Sequence, residues 1–147
     1  MKILIINGPN LNLLGRRDKS LYGNLTLEKI NTLIKKHFPK IDFTFFQSNL
    51  EGEIVNQIQI AQNDFNGIII NPGGYAHTSV AIRDALAELT IPKIEVHLSN
   101  LSSREKFRQK LITASACNGY ISGFKHDSYL SAIYLIDLIL KTKKRQK

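Results

Sequence analysis

The apolar residues of this chain fall into two alternating patterns. Short runs rich in β-branched and aromatic residues, "ILII" (3–6), "IDFTFF" (41–46), "GIII" (67–70), "KIEV" (93–96) and "YIS" (120–122), predict β-strands. Between them, apolar positions recur at three- and four-residue steps. Leu27, Ile30, Leu33, Ile34 and Phe38 follow a Thr26 cap, Ile54, Val55, Ile58 and Ala61 form a second set, and Ile82, Ala85, Leu86 and Leu89 follow Thr78 or Ser79. "SSREKFRQKL" predicts a short fourth helix and "SYLSAIYLIDLIL" a final one. Strands alternating with helices imply a parallel sheet covered on both sides. The expected fold is α/β, a flavodoxin-like doubly wound five-stranded parallel sheet with helices on both faces. One domain is expected over 1–140, with a basic tail at 141–147.

That architecture makes a demand on the polar residues, because ligands of open α/β sheets bind beyond the carboxyl ends of the strands. Nearly every predicted strand runs into such sequence. The first ends in Asn7-Gly8-Pro9-Asn10, the second in Gln47-Ser48-Asn49, the third in Asn71-Pro72-Gly73-Gly74 and the fourth in His97-Leu98-Ser99-Asn100. Turn formation explains any one of these clusters. Together, on one edge, they read as a site rich in neutral hydrogen-bonding groups.

Composition narrows the classes. No apolar run approaches the roughly 18–20 residues of a membrane-spanning helix. The opening "MKILIINGPN" ends in turn chemistry and reads as a first strand, not a secretory signal. Cys117 is the single cysteine, so neither an internal disulfide nor a cysteine-based metal site is expected, and the expected location is cytoplasmic. The net charge of +8 owes most to Lys141, Lys143, Lys144, Arg145 and Lys147, the solvated end of the last helix. What remains is mildly basic, which suits a small anionic substrate as well as a polymer; the partner expected is the small anion, with no membrane or nucleic acid.

Several familiar sites are missing. There is no glycine-rich dinucleotide fingerprint and no phosphate-binding loop. No histidine pair has helical metal spacing, and the one carboxylate near His97 in sequence is Glu95, on the alternating pattern of its strand, so a metal is possible but nothing here supports one, and none is assigned to the site. The stretch "GRRDKSLYG" (15–23) brackets Arg16, Arg17 and Tyr22 between glycines without any apolar period. A phenol ionises near pH 10, and ionisation at neutrality requires about 4 kcal/mol of help. An arginine at contact distance, partly out of water, supplies an effect of that order. Tyr22 with Arg17 is therefore a candidate base, and His97 a candidate acid.

"NGPNLNLLGRRDKSLYG", "FQSNLEGEIV", "NPGGYAHTSVAIRDAL", "IEVHLSN" and "SREKFR" resemble, in order and spacing from residue 3 to about 140, the type II 3-dehydroquinate dehydratases. The resemblance implies a catalytic domain that dehydrates 3-dehydroquinate to 3-dehydroshikimate, in the shikimate pathway or in quinate breakdown. It implies anti elimination through an enolate, without cofactor. Tyr22 then matches the base, Arg17 the residue that activates it, His97 the acid that protonates the departing hydroxyl, and Asn10 the amide that positions a water on the enolate oxygen. The N–H groups of Leu98 and Ser99 resemble a carboxylate holder. Asn71, His77 and Arg108 match substrate contacts, and Arg104 resembles a second arginine of the closing site. Asp84 matches an aspartate that reaches the site of a neighbouring subunit, within trimers that build a dodecamer.

Each position also has an ordinary reading: turn residues at Asn10 and Asn71, a helix-entry ring bonded to backbone at His77, and a solvated face at Arg104 and Arg108. Asp84 would be a surface carboxylate. His37 and His126 match no motif. The family usually has Glu-Pro where Asp18-Lys19 stands, and commonly glycine at Lys125, so a looser lid over 15–23 is expected. Two other classes remain open here, a non-catalytic flavodoxin-like nucleotide-binding module and a nucleic-acid-binding protein led by the basic tail.

Overall fold

A computed structural model describes residues 1–145. The chain forms β1 (Lys2–Asn7), a one-turn helix α1 (Lys19–Tyr22), α2 (Leu27–His37), β2 (Asp42–Gln47), α3 (Glu51–Asp64), β3 (Gly67–Asn71), α4 (Val80–Ala87), β4 (Lys93–His97), β5 (Gly119–Ser122) and α5 (Asp127–Arg145). All five strands are parallel, in the order β2-β1-β3-β4-β5. α5 extends through residues 141–145 of the basic tail, and residues 146 and 147 lie outside the described residues.

The two side-chain parities of the central strands explain the double winding. On one face Ile3, Ile5, Ile69 and Ile94 pack against Ile30 and Ile34 of α2 and Ala132, Ile133 and Ile136 of α5. On the other, Leu4, Ile6, Ile68 and Ile70 meet Ile54 and Ile58 of α3 and Ile82 and Leu86 of α4. Strands covered twice must be apolar on both faces, which is why β1 and β3 read as unbroken branched runs. Each such side chain contributes about 1.5–3 kcal/mol when fully buried.

The caps decide where the helices begin. Thr26 accepts from the N–H of Lys29 at 3.2 Å, and Ser79, not Thr78, accepts from that of Ile82 at 2.9 Å. The expected fourth helix is absent. Between β4 and β5 the chain makes three short 3₁₀ turns, Leu101–Ser103, Lys106–Gln109 and Thr113–Ala116. Local side-chain bonds compete with helix there: Asn100 accepts from the Ser102 N–H at 3.2 Å and Ser103 Oγ donates to the Asn100 carbonyl at 2.8 Å. The segment also lacks an apolar stripe, and Phe107 is exposed.

The strand order reverses between β1 and β3, and there the loops after the two strands come together. The Gly8 N–H donates to the Asn71 carbonyl at 2.8 Å. A Cβ on Gly8 would sit 2.5 Å from the Pro72 carbonyl oxygen, so only glycine lets these backbones approach. Gly73, at φ +60°, completes the crossing against Pro9.

Candidate active site

The switch point opens into a cleft of about 130 Å³ that Asn10, Arg17, Tyr22, Asn71, His77 and His97 line, together with Leu98, Ser99, Arg104 and Arg108. Ten of the eleven residues singled out from sequence therefore meet in one place. Asp84 does not. It stands exposed on α4, paired with Arg83 at 2.9 Å.

The segment 15–23 covers the cleft. Gly15 and Gly23, at φ +92° and +81°, turn the chain in and out. Between them α1 begins at Asp18, whose carboxylate accepts from the Ser20 N–H at 2.9 Å and the Ser20 hydroxyl at 2.6 Å. Those two bonds hold the Asp18 carboxyl below its ordinary range. Lys19 occupies the first helical position, where proline is at home because its fixed φ suits the turn. Here the Asp18 cap organises the turn in place of a ring. Lys125, at φ +51°, lays its side chain against Gly23, where a Cβ would lie 3.4 Å from Lys125 Cδ.

α1 presents Tyr22 to the cleft between two guanidinium groups. Its Oη accepts from Arg17 Nη2 at 2.9 Å and from Arg104 Nη1 at 3.1 Å. The Arg17 guanidinium carbon also lies 3.9 Å from the ring centroid. Arginine can only donate, so the phenol oxygen accepts from two cations at once. Arg104 is held in turn by Ser99 Oγ at 3.0 Å and by Glu105, which also binds Arg108 Nε at 2.8 Å. Burial would lower the Arg104 pKa, but its bond to Tyr22 and the charges around it outweigh burial and keep it above the ordinary value. The expected solvated pair Arg104 and Arg108 is thus a braced pair facing the cleft.

β4 carries His97 to the rim. Its Nε2 lies 2.7 Å from Oε1 of Glu95, a side chain with 0% exposure, while Thr113 donates to Oε2 of the same carboxylate at 2.5 Å. An acceptor-only partner makes Nε2 the donor and leaves Nδ1 as the nitrogen able to pass a proton. Glu95 is the functional residue that sequence reasoning passed over, and the signal was there. Residues two apart on a strand share a face, so Glu95 and His97 must point the same way.

The remaining groups are held from behind. His77 Nδ1 bonds the Lys110 carbonyl at 2.9 Å, which matches its ordinary reading, yet the ring stacks on His97 with centroids 6.4 Å apart and lines the cleft. Asn10 is left-handed at φ +67°, with its N–H held by Asn49 Oδ1 at 3.0 Å. Asparagine tolerates that conformation better than most residues. Among the described residues, nothing bonds the Asn10 side-chain amide or the N–H groups of Leu98 and Ser99, which leaves three donors free at the cleft. Among the described residues no group of three His, Cys, Asp or Glu side chains could hold a metal ion.

Comparison with known proteins places the chain among its relatives. A profile of the family described as dehydroquinase class II matches residues 1–137. A 3-dehydroquinate dehydratase of Clostridium botulinum is 51% identical over 147 residues, which cover 99% of this chain and 98% of that protein. Another, from Caldanaerobacter subterraneus, is 49% identical over 94% of this chain and 95% of its own length. Among solved structures, the type II dehydroquinase of Butyrivibrio crossotus superposes with a TM-score of 0.90 at 48% identity, covering 93% of this chain and 97% of that one.

Proposed function

The chain belongs to the class II dehydroquinase family, and from that premise we propose how its cleft removes water from 3-dehydroquinate. It is a hydro-lyase of the shikimate pathway. One observation carries the mechanism, the acceptance of two guanidinium bonds by Tyr22 Oη in the cleft that His97 also lines. The two guanidinium donors fix that oxygen at the cleft and face the charge it handles as the base for a carbon-bound proton. The proton beside the ketone passes to Tyr22, and the electron pair moves onto the carbonyl oxygen as an enolate. A water held by the free Asn10 amide stabilises that charge. Collapse of the enolate then expels the hydroxyl, which leaves as water with a proton from His97, whose ring Glu95 holds through Nε2. The Leu98 and Ser99 N–H groups with Arg108 hold the substrate carboxylate, and Asn71 and His77 hold its hydroxyls. The direct test is turnover. Purified protein mixed with 3-dehydroquinate should develop the ultraviolet absorbance of a conjugated enone, and a flat trace would reject the reading.

Among the described residues no lysine lines the cleft, which supports a free ketone over an imine. Borohydride added with substrate should leave activity at the untreated level. Covalent inactivation with a mass increase on a lysine would replace the enolate route with an imine.

The exposed position of Asp84 outside its own chain's cleft supports a role in a neighbour's site, within trimers that assemble into a dodecamer. Complementation tests this. Asp84→Ala and Tyr22→Phe proteins, unfolded together and refolded as mixed oligomers, should regain part of the activity that each lacks alone. Mixed assemblies that stay inactive would confine Asp84 to its own subunit or to the surface.

A further inference from the structure

Beneath the cleft, on the α5 side of the sheet, lies a buried polar chain with a defined direction. The Gly73 N–H donates to Asn71 Oδ1 at 3.2 Å. Asn71 Nδ2 donates to Tyr129 Oη at 3.1 Å. Tyr129 Oη donates its single proton to Asn7 Oδ1 at 2.5 Å. Asn7, Asn71 and Tyr129 are 1%, 2% and 1% exposed, and Asn7 and Asn71 are register partners at the ends of the two central strands. Burial pushes the Tyr129 phenol well above its ordinary range, so it stays protonated and always has one proton to give. Of these three side chains, only Asn71 lines the cleft.

We propose that Tyr129 is a positioning residue that fixes which end of the Asn71 amide serves the substrate. The reasoning is one of hydrogen-bond polarity. An amide flipped by half a turn has the same shape with donor and acceptor exchanged, so packing alone selects neither orientation. A phenol oxygen that gives its proton to Asn7 can only accept from Asn71, which therefore presents Nδ2 to it. The opposite end, Oδ1, accepts from the Gly73 N–H at 3.2 Å, a weaker second partner that selects the same orientation, and the Tyr129 bond reinforces it. Among the described residues no acceptor takes the second Nδ2 hydrogen, and Asn71 meets the substrate as an N–H donor to a hydroxyl oxygen. The same polarity leaves Asn7 Nδ2 buried without a partner. A lone unsatisfied donor is a cost, and here it follows from the direction of the chain. α5 braces the neighbouring strand end as well, since Ser128 Oγ donates to the His97 carbonyl at 3.2 Å. The first turn of that helix is a platform for the site.

This inference rests on the role assigned to Asn71, and the test separates the two. Tyr129→Phe keeps the ring and removes the polarity relay, so KM for 3-dehydroquinate should rise about tenfold with kcat within about twofold of the parent. Asn7→Ala removes the acceptor without touching the cleft and should raise KM in the same sense, which keeps the question answerable if the buried phenylalanine variant folds poorly. In a double-mutant cycle, Tyr129→Phe should add nothing to the KM of Asn71→Ala, because its effect passes through that amide. A parental KM in Tyr129→Phe or Asn7→Ala, or a fall in kcat alone, would overturn the proposal. A full extra effect on top of Asn71→Ala would overturn it too, while leaving Asn71 as a substrate contact. A parental KM in Asn71→Ala would remove the premise itself.

Discussion

Tyr22→Phe should lose turnover by about a thousandfold or more while folding normally and binding substrate with near-parental affinity. The substitution deletes one oxygen, the one that accepts from Arg17 and Arg104. The ring still packs against the core, and Arg104 keeps its bonds to Ser99 and Glu105. Stability should change by about 1 kcal/mol at most. Arg17→Ala keeps the oxygen but removes one of its two cations, and should cost about a hundredfold in kcat. The ordering is the diagnostic feature. Single-turnover rates with calorimetric affinities measure it, and a phenylalanine variant more active than Arg17→Ala would mean that another group takes the proton.

His97→Ala should lower kcat by about a hundredfold or more, because the hydroxyl would have to leave without a proton donor. Glu95→Gln is the sharper experiment, since glutamine keeps the shape and removes the carboxylate that holds the ring. It cannot accept at both oxygens, so either the His97 bond or the Thr113 bond loses its acceptor. We expect about a tenfold to hundredfold loss in kcat with KM little changed. If Glu95→Gln proved as active as the parent, the pair would be structural and His97 would act without help. Proton abstraction should survive in both variants, so exchange of the substrate's α-hydrogen with solvent should outlast net dehydration.

How much of this was legible beforehand varies by element. The strands were readable to within a residue or so; β1 and β3 because double coverage demands unbroken apolar runs, the edge strands β2 and β5 from their aromatic and branched residues. The helices before β2 and β4 were readable from caps and period, with Thr78 and Ser79 left open as the second cap, and the helix before β3 from its period alone. The connection from β4 to β5 was misread. Its spacing allowed a helix, but the Asn100 and Ser103 side chains bond the backbone locally, and Arg104 and Arg108 turn toward Glu105 and the cleft. α1 was invisible as well, because a single turn has no period to detect and exists here through the Asp18 cap and the glycines around it.

The composition of the site was written in the sequence, and its wiring was not. Alternation of strands and helices brings the polar strand ends to one edge, so order along the chain suffices to gather Asn10, Asn71 and His97. Linear order carries no information about which atom faces which. The second arginine on Tyr22, 82 residues away, became its partner only when the loop after β4 folded back across the cleft. Tyr129 lies 122 residues from Asn7, and their bond depends on how α5 packs against β3 and β4. Hydrogen-bond direction is decided at the same level, since a proton is assigned by everything within about 3 Å of it, and tertiary packing alone determines what stands there.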